Sequence, residues 1–247
     1  MTRLDGRSVI VTGAATGIGH GIATEVAAAG AFVVLVDIDG RVGDVAARLG
    51  GVAVVGDVSD EGTVAEAIAA AGTSLRGLVN NAAIVYHVDA VETTRDQWDR
   101  TIAVNLRAPW LFAKAAIPVM LEAGGGSIVN VASIEATRVR RDHAVYAASK
   151  SGLVGLTRGI AVDYGRRGVR CNTISPGSVD TEMFRTYVEM ADDPQAVRDE
   201  LIGLNFVGRI GTEEEMGKLA VYMLSDDSSF MNGTDVVIDA GRLIGEN

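Results

Sequence analysis

The stretch Thr12-Gly13-Ala14-Ala15-Thr16-Gly17-Ile18-Gly19 decides the fold of this chain. It follows a β-branched run at residues 8–12 and opens an Ala-rich run of helical spacing at residues 18–29. Glycines at such a junction let the backbone turn sharply and approach a pyrophosphate, whose charge is met by N–H groups at the helix N-terminus. The Gly-x3-Gly-x-Gly spacing differs from Gly-x-Gly-x-x-Gly, so the stretch indicates a different kind of dinucleotide-binding turn.

Short β-branched runs alternate with long Ala-rich stretches along the rest of the chain. The pattern predicts strands at 8–12, 32–37, 52–57, 77–80, 127–131, 169–174 and 235–238, and helices at 18–29, 61–71, 97–122, 145–165 and 213–224. Such alternation implies βαβ units with right-handed crossovers. We therefore expect one α/β domain over residues 1–247, a three-layer Rossmann-type doubly wound fold with a seven-stranded, mainly parallel sheet.

Residues 178–209 break this rhythm. The segment is long, mixed in polarity and contains Asp192-Asp193-Pro194. It is a candidate substrate lid, because long connections beside a site often close over it. The alternative is a pair of surface helices that do not move.

Composition excludes several classes of protein. Of the 247 residues 48% are hydrophobic but only 5% aromatic, which suits a parallel sheet covered by helices. The net charge of −10 and the lack of a long basic block argue against nucleic-acid binding. No apolar run approaches ~20 residues, so we expect no membrane span. The lone Cys171 cannot form an internal disulfide, and the simplest location is the cytoplasm.

Tyr146-Ala147-Ala148-Ser149-Lys150 is the second informative motif, thirteen residues after Ser133. Residues four apart share a helix face, so Tyr146 and Lys150 can point into one site. A phenol with a pKa near ~10 is a poor acid-base catalyst at neutral pH, and an adjacent ammonium favours the phenolate. The pair predicts acid-base chemistry in which Lys150 lowers the pKa of Tyr146.

Asp37 ends the second predicted strand, eighteen residues after Gly19. A carboxylate there can accept hydrogen bonds from the adenosine ribose hydroxyls and repel a 2′-phosphate, which predicts NAD(H) in preference to NADP(H). The alternative is that Asp37 only caps the following turn, where Asp39-Gly40 stands.

The chain resembles the short-chain dehydrogenase/reductase family along nearly its whole length. The resemblance rests on the glycine turn, Asp57-Val58, Asn80-Asn81-Ala82-Ala83, Asn105, Ser133, Tyr146, Lys150 and Pro176-Gly177, which stand in the family's order and spacing. Ala83 replaces the commoner glycine, and His20 stands where Arg or Lys is frequent. The neutral Thr16 stands where relatives that prefer NADP often carry a basic residue, in agreement with Asp37.

The resemblance implies hydride transfer between a nicotinamide and a secondary alcohol or ketone. Tyr146 would be the general acid-base, Ser133 would hydrogen-bond the reacting oxygen, Lys150 would bind the nicotinamide ribose, and Asn105 would hold a water that links Lys150 to solvent. Asp57 would contact the adenine and Thr181 the carboxamide. The other implied cofactor-binding residues are Gly13, Thr16, Gly17, Ile18, Gly19, Asp37, Ile38, Val58, Asn81, Ala82, Ala83, Pro176, Gly177 and Val179.

The substrate is less closely defined. Glu135, Arg138, His143 and Phe184 are candidate contacts, and their polarity favours a polyol, sugar or other hydroxylated small molecule. Arg138, Arg140 and Arg141 could instead bind a carboxylate or phosphate, or form a solvated loop. His20 and His87 are interpreted as surface or loop residues. No His/Cys/Asp cluster has metal-ligand spacing, so no metal is expected.

Two alternative functions remain, and the sequence also predicts an oligomer. The same scaffold could serve a 3-oxoacyl thioester (acyl-carrier) reductase, or a protein that senses NAD(H) without chemistry. The helical stretches 108–121 and 145–160 are more continuously apolar than a monomer's surface requires. They predict a homotetramer or homodimer.

Overall fold

The computed structural model describes residues 3–245 and places seven strands in one sheet. The strands are β1 (Ser8–Thr12), β2 (Phe32–Asp37), β3 (Val52–Val55), β4 (Leu75–Asn80), β5 (Gly126–Val131), β6 (Val169–Pro176) and β7 (Asp235–Ile238). Their order is β3-β2-β1-β4-β5-β6-β7, and every neighbouring pair is parallel. The chain builds outward from β1 to β3 and then crosses to β4 on the other side of β1. This confirms the predicted doubly wound fold.

Nine α-helices connect the strands within residues 3–245. They are α1 (Gly17–Ala28), α2 (Val42–Leu49), α3 (Glu61–Ala71), α4 (Arg95–Ile102), α5 (Ala108–Glu122), α6 (Ala144–Tyr164), α7 (Glu182–Glu189), α8 (Pro194–Gly203) and α9 (Glu213–Leu224). None of these helices combines the length and the apolar composition needed to cross a membrane.

The structure differs from the predicted elements at one strand end, one missed helix and one interrupted helix. The strand predicted at 52–57 ends at Val55, because the chain turns there and Asp57 binds its own neighbour Ser59. The short helix α2 was missed, although its buried residues Val42, Val45 and Ala46 stand at helical spacing. The helix predicted at 97–122 is interrupted by a π-helical turn at Ala103–Arg107, which separates α4 from α5.

The two faces of the sheet carry separate cores. Along β1, Val9 and Val11 face one core and Ile10 faces the other, as the two-residue period of a strand requires. Helices α1, α2 and α9 cover the first face, while α3, α5 and α6 contribute to the second. Both faces are therefore buried, which accounts for the continuously apolar strands.

Helices α1 and α9 pack closely because glycines lie at their contact. A Cβ on Gly21 would come within 2.5 Å of the Glu213 carbonyl oxygen, and a Cβ on Gly217 within 2.7 Å of the Gly21 oxygen. These clashes with backbone atoms leave only glycine at both positions. The contact fixes α1, and with it the turn between β1 and α1, against the rest of the fold.

Candidate active site

The site lies at the carboxyl edge of the sheet, where the chain order reverses between β1 and β4. In open α/β sheets ligands bind in the crevice at this switch point. A cavity of about 680 Å³ opens there. The predicted residues that line it are Gly13, Thr16, Gly17, Ile18, Asp37, Ile38, Asp57, Val58, Asn81, Ala82, Ala83, Ser133, Glu135, Arg138, His143, Tyr146, Lys150, Pro176, Gly177, Val179, Thr181 and Phe184.

The glycine turn packs against the end of β4. Gly13 has φ +65°, and a Cβ there would lie 2.8 Å from the Cα of Ala82. The Asn81 side chain donates from Nδ2 to the carbonyl oxygens of Thr12 and Gly13, at 3.1 and 3.0 Å. Gly19 does not line the cavity. It is required because a Cβ there would come within 1.9 Å of the Gly13 oxygen.

The N-terminus of α1 fits a dinucleotide pyrophosphate. Thr16 is its N-cap, but no side chain caps the helix by a hydrogen bond. The first turn of a helix has N–H groups that need partners, and an anion supplies them. Gly17 has φ +62°, a left-handed conformation that favours glycine and keeps bulk away from this N-terminus. The glycine turn and the uncapped N-terminus of α1 therefore suit a pyrophosphate group.

Asp37 stands at the carboxyl end of β2. Its Oδ2 accepts a hydrogen bond from the Ala15 backbone at 2.9 Å, and Oδ1 accepts one from the Asp39 backbone at 3.0 Å. The capping interaction considered from sequence is thus present, and the same carboxylate also lines the cavity. Asp37 both holds the glycine turn in shape and gives this end of the cavity a negative charge.

Asp57 is held by two neighbours. Arg100 makes an ion pair with Oδ2 at 2.7 Å, and Ser59 donates to Oδ1 from its backbone and its hydroxyl. Burial acts to raise the pKa of Asp57, but these hydrogen bonds outweigh it and keep that pKa below its ordinary value. Asp57 is therefore a fixed anion at the cavity wall. Arg100 also lines the cavity and was not predicted from sequence.

Tyr146 and Lys150 lie one turn apart on α6, as predicted. The Lys150 ammonium is 5.6 Å from the centre of the Tyr146 ring, and its Nζ donates to the carbonyl oxygen of Val131 at 2.7 Å. Ser133 follows the end of β5 and its hydroxyl accepts from the Glu135 backbone at 3.1 Å. The structure therefore brings Ser133, Tyr146 and Lys150 to one wall of the cavity.

The pKa of Tyr146 differs from the sequence expectation. Burial raises it to about 12, and the negative charge of Glu135 raises it as well, while the hydrogen bond with Ser133 and the charge of Arg140 lower it. Burial also lowers the pKa of Lys150 to about 8. In this arrangement desolvation of the phenol outweighs the stabilisation of the phenolate by Ser133 and Arg140. Sequence spacing could not predict this because it carries no information about burial.

Asn105 lies in the π-helical turn and does not line the cavity. Its amide accepts from the Ile84 backbone N–H at 2.9 Å and donates to the Ile84 carbonyl at 2.9 Å and to the Ser149 hydroxyl at 3.1 Å. Single π-turns inside helices are frequent at functional sites. Here the turn directs Asn105 to fix the segment after β4 against α6.

Glu135 and His143 form the polar end of the cavity, and both are buried. The Glu135 carboxylate accepts from Nδ1 of His143 at 2.7 Å, and Arg140 pairs with its other oxygen at 3.2 Å. Burial acts to raise the pKa of Glu135, but His143 and Arg140 outweigh it and hold that pKa below its usual range.

His87 lies in a loop and is exposed, as interpreted from sequence, but it also belongs to the site. Its Nδ1 lies 2.7 Å from Nε2 of His143, its ring stacks on Tyr187 at 5.4 Å, and it lines the cavity. His87 follows β4 by seven residues, so it emerges at the same edge of the sheet as the other site residues, and this is the signal that could have identified it. His20 lies elsewhere, on α1, 3.3 Å from Glu213.

Residues 178–209 contain a pair of helices, α7 and α8, as one of the two sequence interpretations had it, and residues of both helices line the cavity. Thr181 caps α7 by accepting from the Phe184 backbone at 3.1 Å. Val188, Leu201 and Ile210 form a small core of their own, separate from the two sheet cores.

Arg242, near the C-terminus, also lines the cavity and donates to the Ser178 hydroxyl at 3.0 Å. Sequence spacing gave no signal for Arg242, because a distant segment brings it to the site.

No group of three or more His, Cys, Asp or Glu side chains in residues 3–245 has the arrangement of a metal site. Cys171 is buried, and burial raises the pKa of its thiol to about 12.

Comparison with known proteins identifies the family. A family model described as enoyl-(acyl carrier protein) reductase matches residues 13–242. A protein of Danio rerio named dehydrogenase/reductase SDR family member 6 is 36% identical, over 98% of this chain and 99% of that protein. The chain belongs to the short-chain dehydrogenase/reductase family. A member of this family from Mycolicibacterium smegmatis, named D-threitol dehydrogenase, is 40% identical over 98% of this chain and 95% of its own.

The short-chain dehydrogenase/reductase fold also matches solved structures. A gluconate 5-dehydrogenase of Burkholderia cenocepacia, in complex with NADP and tartrate, superposes with a TM-score of 0.91 at 30% identity, over 99% of this chain and 98% of that chain. The resemblance predicted from sequence is confirmed. The protein is an oxidoreductase with a Rossmann-type nucleotide-binding fold.

Proposed function

We propose that this enzyme transfers a hydride between NAD(H) and a secondary alcohol or ketone of a polyol, sugar or other hydroxylated small molecule. The observation that carries the proposal is the cavity itself. It is lined by the uncapped glycine turn at one end, by Ser133, Tyr146 and Lys150 in the middle, and by hydrogen-bonding side chains at the other. The named relatives that act on threitol and gluconate support the same class of substrate.

The cofactor would lie along the glycine turn, with Asp37 and Asp57 toward its adenosine and Lys150 toward its nicotinamide ribose. When bound, the nicotinamide supplies or accepts the hydride. In the direction of reduction Tyr146 donates its hydroxyl proton to the carbonyl oxygen, and in oxidation its phenolate removes the alcohol proton. Ser133 hydrogen-bonds the same oxygen and stabilises the charge that develops on it. Asn105 would position Lys150 and the segment after β4, and a water held there would complete a path for the proton.

A preference for NAD(H) is part of the proposal. The Asp37 carboxylate lines the cavity and opposes a ribose 2′-phosphate by charge. Thr16 adds no positive charge that would favour the phosphate. The related gluconate 5-dehydrogenase structure carries NADP, so the scaffold accepts either cofactor and the choice rests on individual residues.

The experiment that tests the function is a panel of secondary alcohols, polyols, sugars and hydroxy acids, assayed in parallel with NAD and NADP. Turnover of one hydroxylated class with NAD supports the proposal. Tight NADH binding without turnover of any member would instead favour the NAD(H)-sensing alternative.

Reduction of a 3-oxoacyl thioester is the second candidate, because a solved structure from Agrobacterium tumefaciens, named 3-oxoacyl (acyl-carrier-protein) reductase, is 32% identical to this chain and covers 97% of it. Arg138, Arg140 and Arg242 line the cavity and could meet an acidic carrier or a phosphate. The net charge of −10 opposes docking of an acidic protein over most of the surface. Turnover of an acetoacetyl thioester with NADPH, but of no polyol, would favour this candidate.

Assembly as a homotetramer or homodimer is also proposed. Trp110 on α5 and Val162 on α6 expose 44% and 81% of their surface. Burial of these side chains against a second copy would remove them from water. Light scattering at micromolar concentration should give two or four times the mass of one chain, and the mass of a single chain would overturn the proposal.

A further inference from the structure

Three ionisable side chains form a continuous hydrogen-bonded chain at the substrate end of the cavity. Glu135 follows β5, His143 immediately precedes α6 and His87 follows β4. The two links, Glu135 to His143 and His143 to His87, are both 2.7 Å long. Glu135 and His143 are buried, whereas His87 is exposed to the cavity. Within residues 3–245 the outer nitrogen of His87, Nε2, has no hydrogen-bond partner.

The number of protons on these three side chains determines whether Nε2 of His87 is a hydrogen-bond donor or acceptor toward the cavity. The Glu135 carboxylate can only accept, so Nδ1 of His143 carries a proton. When both imidazoles are neutral, Nε2 of His143 accepts from Nδ1 of His87, and Nε2 of His87 is left as an acceptor. When Nε2 of His87 takes up one proton, the proton on its Nδ1 passes to Nε2 of His143. His87 then presents a donor, and the positive charge lies beside the carboxylate.

The surroundings of the chain include charges of both signs. Arg140 pairs with Glu135 and lies over the Tyr187 ring, Asp142 is close to His87, and Arg242 is near Glu135 and Arg140. Burial lowers the pKa of His87, as do the charges of His143 and Arg140, while Glu135 and Asp142 raise it. The lowered pKa of His87 favours its neutral imidazole at neutral pH, and in that form Nε2 is an acceptor.

The hydrogen-bonded chain of Glu135, His143 and His87 lies beside Tyr146. The rings of His143 and Tyr146 are 6.0 Å apart at an angle of 67°, and His87 is the next ring at 4.8 Å from His143. His87 and Tyr146 line the same cavity, so a substrate whose reacting oxygen contacts Tyr146 has room to extend toward His87. A hydroxyl both donates and accepts, so it satisfies Nε2 of His87 in either state of the chain. A ketone oxygen satisfies only the donor state, and an alkyl group satisfies neither.

We propose that Glu135, His143 and His87 form a proton-switchable subsite that binds a second hydroxyl of the substrate. His87 makes the contact, and Glu135 and His143 are positioning residues that set its proton. The inference rests on the proposed function, because it assigns the substrate class to vicinal diols and hydroxyketones. Sites that hydrogen-bond a hydroxyl discriminate strongly against analogues that lack it.

The test compares two ketones that differ by one hydroxyl, 3-hydroxybutan-2-one and butan-2-one, as substrates for reduction. In His87→Phe a ring remains against Tyr187 but both nitrogens are removed. We expect the ratio of kcat/KM for the hydroxyketone to kcat/KM for the ketone to fall by ~10-fold or more. His20→Phe is the matched control on α1, and its ratio should equal that of the wild type. His87→Gln, whose amide offers a fixed donor and acceptor, should recover part of the ratio.

A second measurement does not depend on turnover. Nitrogen NMR of the histidine rings, recorded between about pH 5 and pH 8, should show His87 and His143 changing together. An unchanged substrate ratio in His87→Phe, or two histidines that titrate independently, overturns the subsite. Failure of the whole alcohol and ketone panel with wild-type enzyme overturns the proposed function instead, and the NMR titration then still decides whether the two histidines share a proton.

Discussion

The Nζ of Lys150 donates a hydrogen bond to the carbonyl oxygen of Val131 at 2.7 Å, while its ammonium lies 5.6 Å from the centre of the Tyr146 ring. The end of β5 therefore holds the lysine beside the phenol that lies one helical turn before it on α6. This relationship joins the sheet edge, where the cofactor would bind, to the group that would move the proton.

Tyr146→Phe should abolish most turnover and spare cofactor binding. The substitution removes only the hydroxyl, and general acid-base groups contribute about 10²- to 10⁴-fold. We expect kcat/KM to fall in that range, with an NADH dissociation constant, measured by fluorescence, within about twofold of the wild type. Tyr222→Phe, on the exposed part of α9, is the control. Full activity of Tyr146→Phe would remove the acid-base role.

Asp37→Ala should shift the cofactor preference toward NADP(H). In the proposed binding mode, loss of the carboxylate would remove its repulsion of a 2′-phosphate and its hydrogen bonds to the ribose. The ratio of kcat/KM with NADP to kcat/KM with NAD should rise by about tenfold or more, since 1.4 kcal/mol corresponds to a factor of ten. Some thermal stability should be lost as well, because Ala15 and Asp39 lose their acceptor.

The same assay on Asp44→Ala, an acidic residue on α2 outside the cavity, controls for net charge. If Asp37→Ala leaves the cofactor ratio where it is, then Asp37 serves only to hold the glycine turn.

Glu135→Gln should move the pH profile of alcohol oxidation to lower pH. The negative charge of Glu135 raises the pKa of Tyr146, so its removal lowers that pKa. Oxidation requires the phenolate and increases as pH rises through the pKa of Tyr146. The rising limb of kcat/KM against pH should therefore appear at lower pH than in the wild type. Glu189→Gln, exposed at the end of α7, should leave the limb in place, and a shift to higher pH in Glu135→Gln would contradict the assigned electrostatics.

Glu215→Gln should destabilise the protein at neutral pH but not at acid pH. Glu215 closes the capping box of α9 with Thr212 and pairs with Arg209, and the hydrogen bonds from Arg209 and the Thr212 backbone lower its pKa to about 2. A group whose pKa is lower in the folded state stabilises the fold above its unfolded pKa, here the ordinary 4.5. That stabilisation is lost as the pH falls from 4.5 toward 2.

Because Glu215 is more than a third exposed, solvent screening limits the effect to about 1 kcal/mol, or roughly 2–4 °C in Tm at pH 7. Thermal unfolding at a series of pH values measures it, with Glu214→Gln, a surface partner of Lys218, as the comparison. A difference between wild type and Glu215→Gln that persists unchanged to pH 2 would refute the linkage.

Gly19→Ala should weaken cofactor binding, whereas Gly40→Ala should not. A Cβ on Gly19 would come within 1.9 Å of the Gly13 carbonyl oxygen, so the turn must deform, but nothing lies within 4 Å of a Cβ on Gly40. We expect an increase of about tenfold or more in the NADH dissociation constant for Gly19→Ala, together with a lower Tm. Equal affinities in the two variants would show that the turn tolerates the deformation.

The periodic patterns and the glycine turn determined the seven strands, the doubly wound class of the fold and the turn at which the cofactor would bind. They did so because β-branched alternation, glycine conformations and helix spacing are local properties of the chain. The residues that follow β1, β2, β4, β5 and β6 meet at one edge in any parallel sheet, so the predicted cofactor residues came together in the cavity. The π-helical turn around Asn105 was beyond this reasoning, since a single inserted residue changes the helical period very little.

Tertiary structure alone decided the electrostatics and the substrate end of the site. The pKa values of Tyr146 and Lys150 depend on burial, which is a property of everything packed around them. His87 and His143 are 56 residues apart in sequence, and only the fold joins them and Glu135 through two contacts of 2.7 Å, His87 to His143 and His143 to Glu135. The sequence alone determined which chemistry the site contains, because each motif is local; long-range packing determined the proton affinities and the groups that face the substrate.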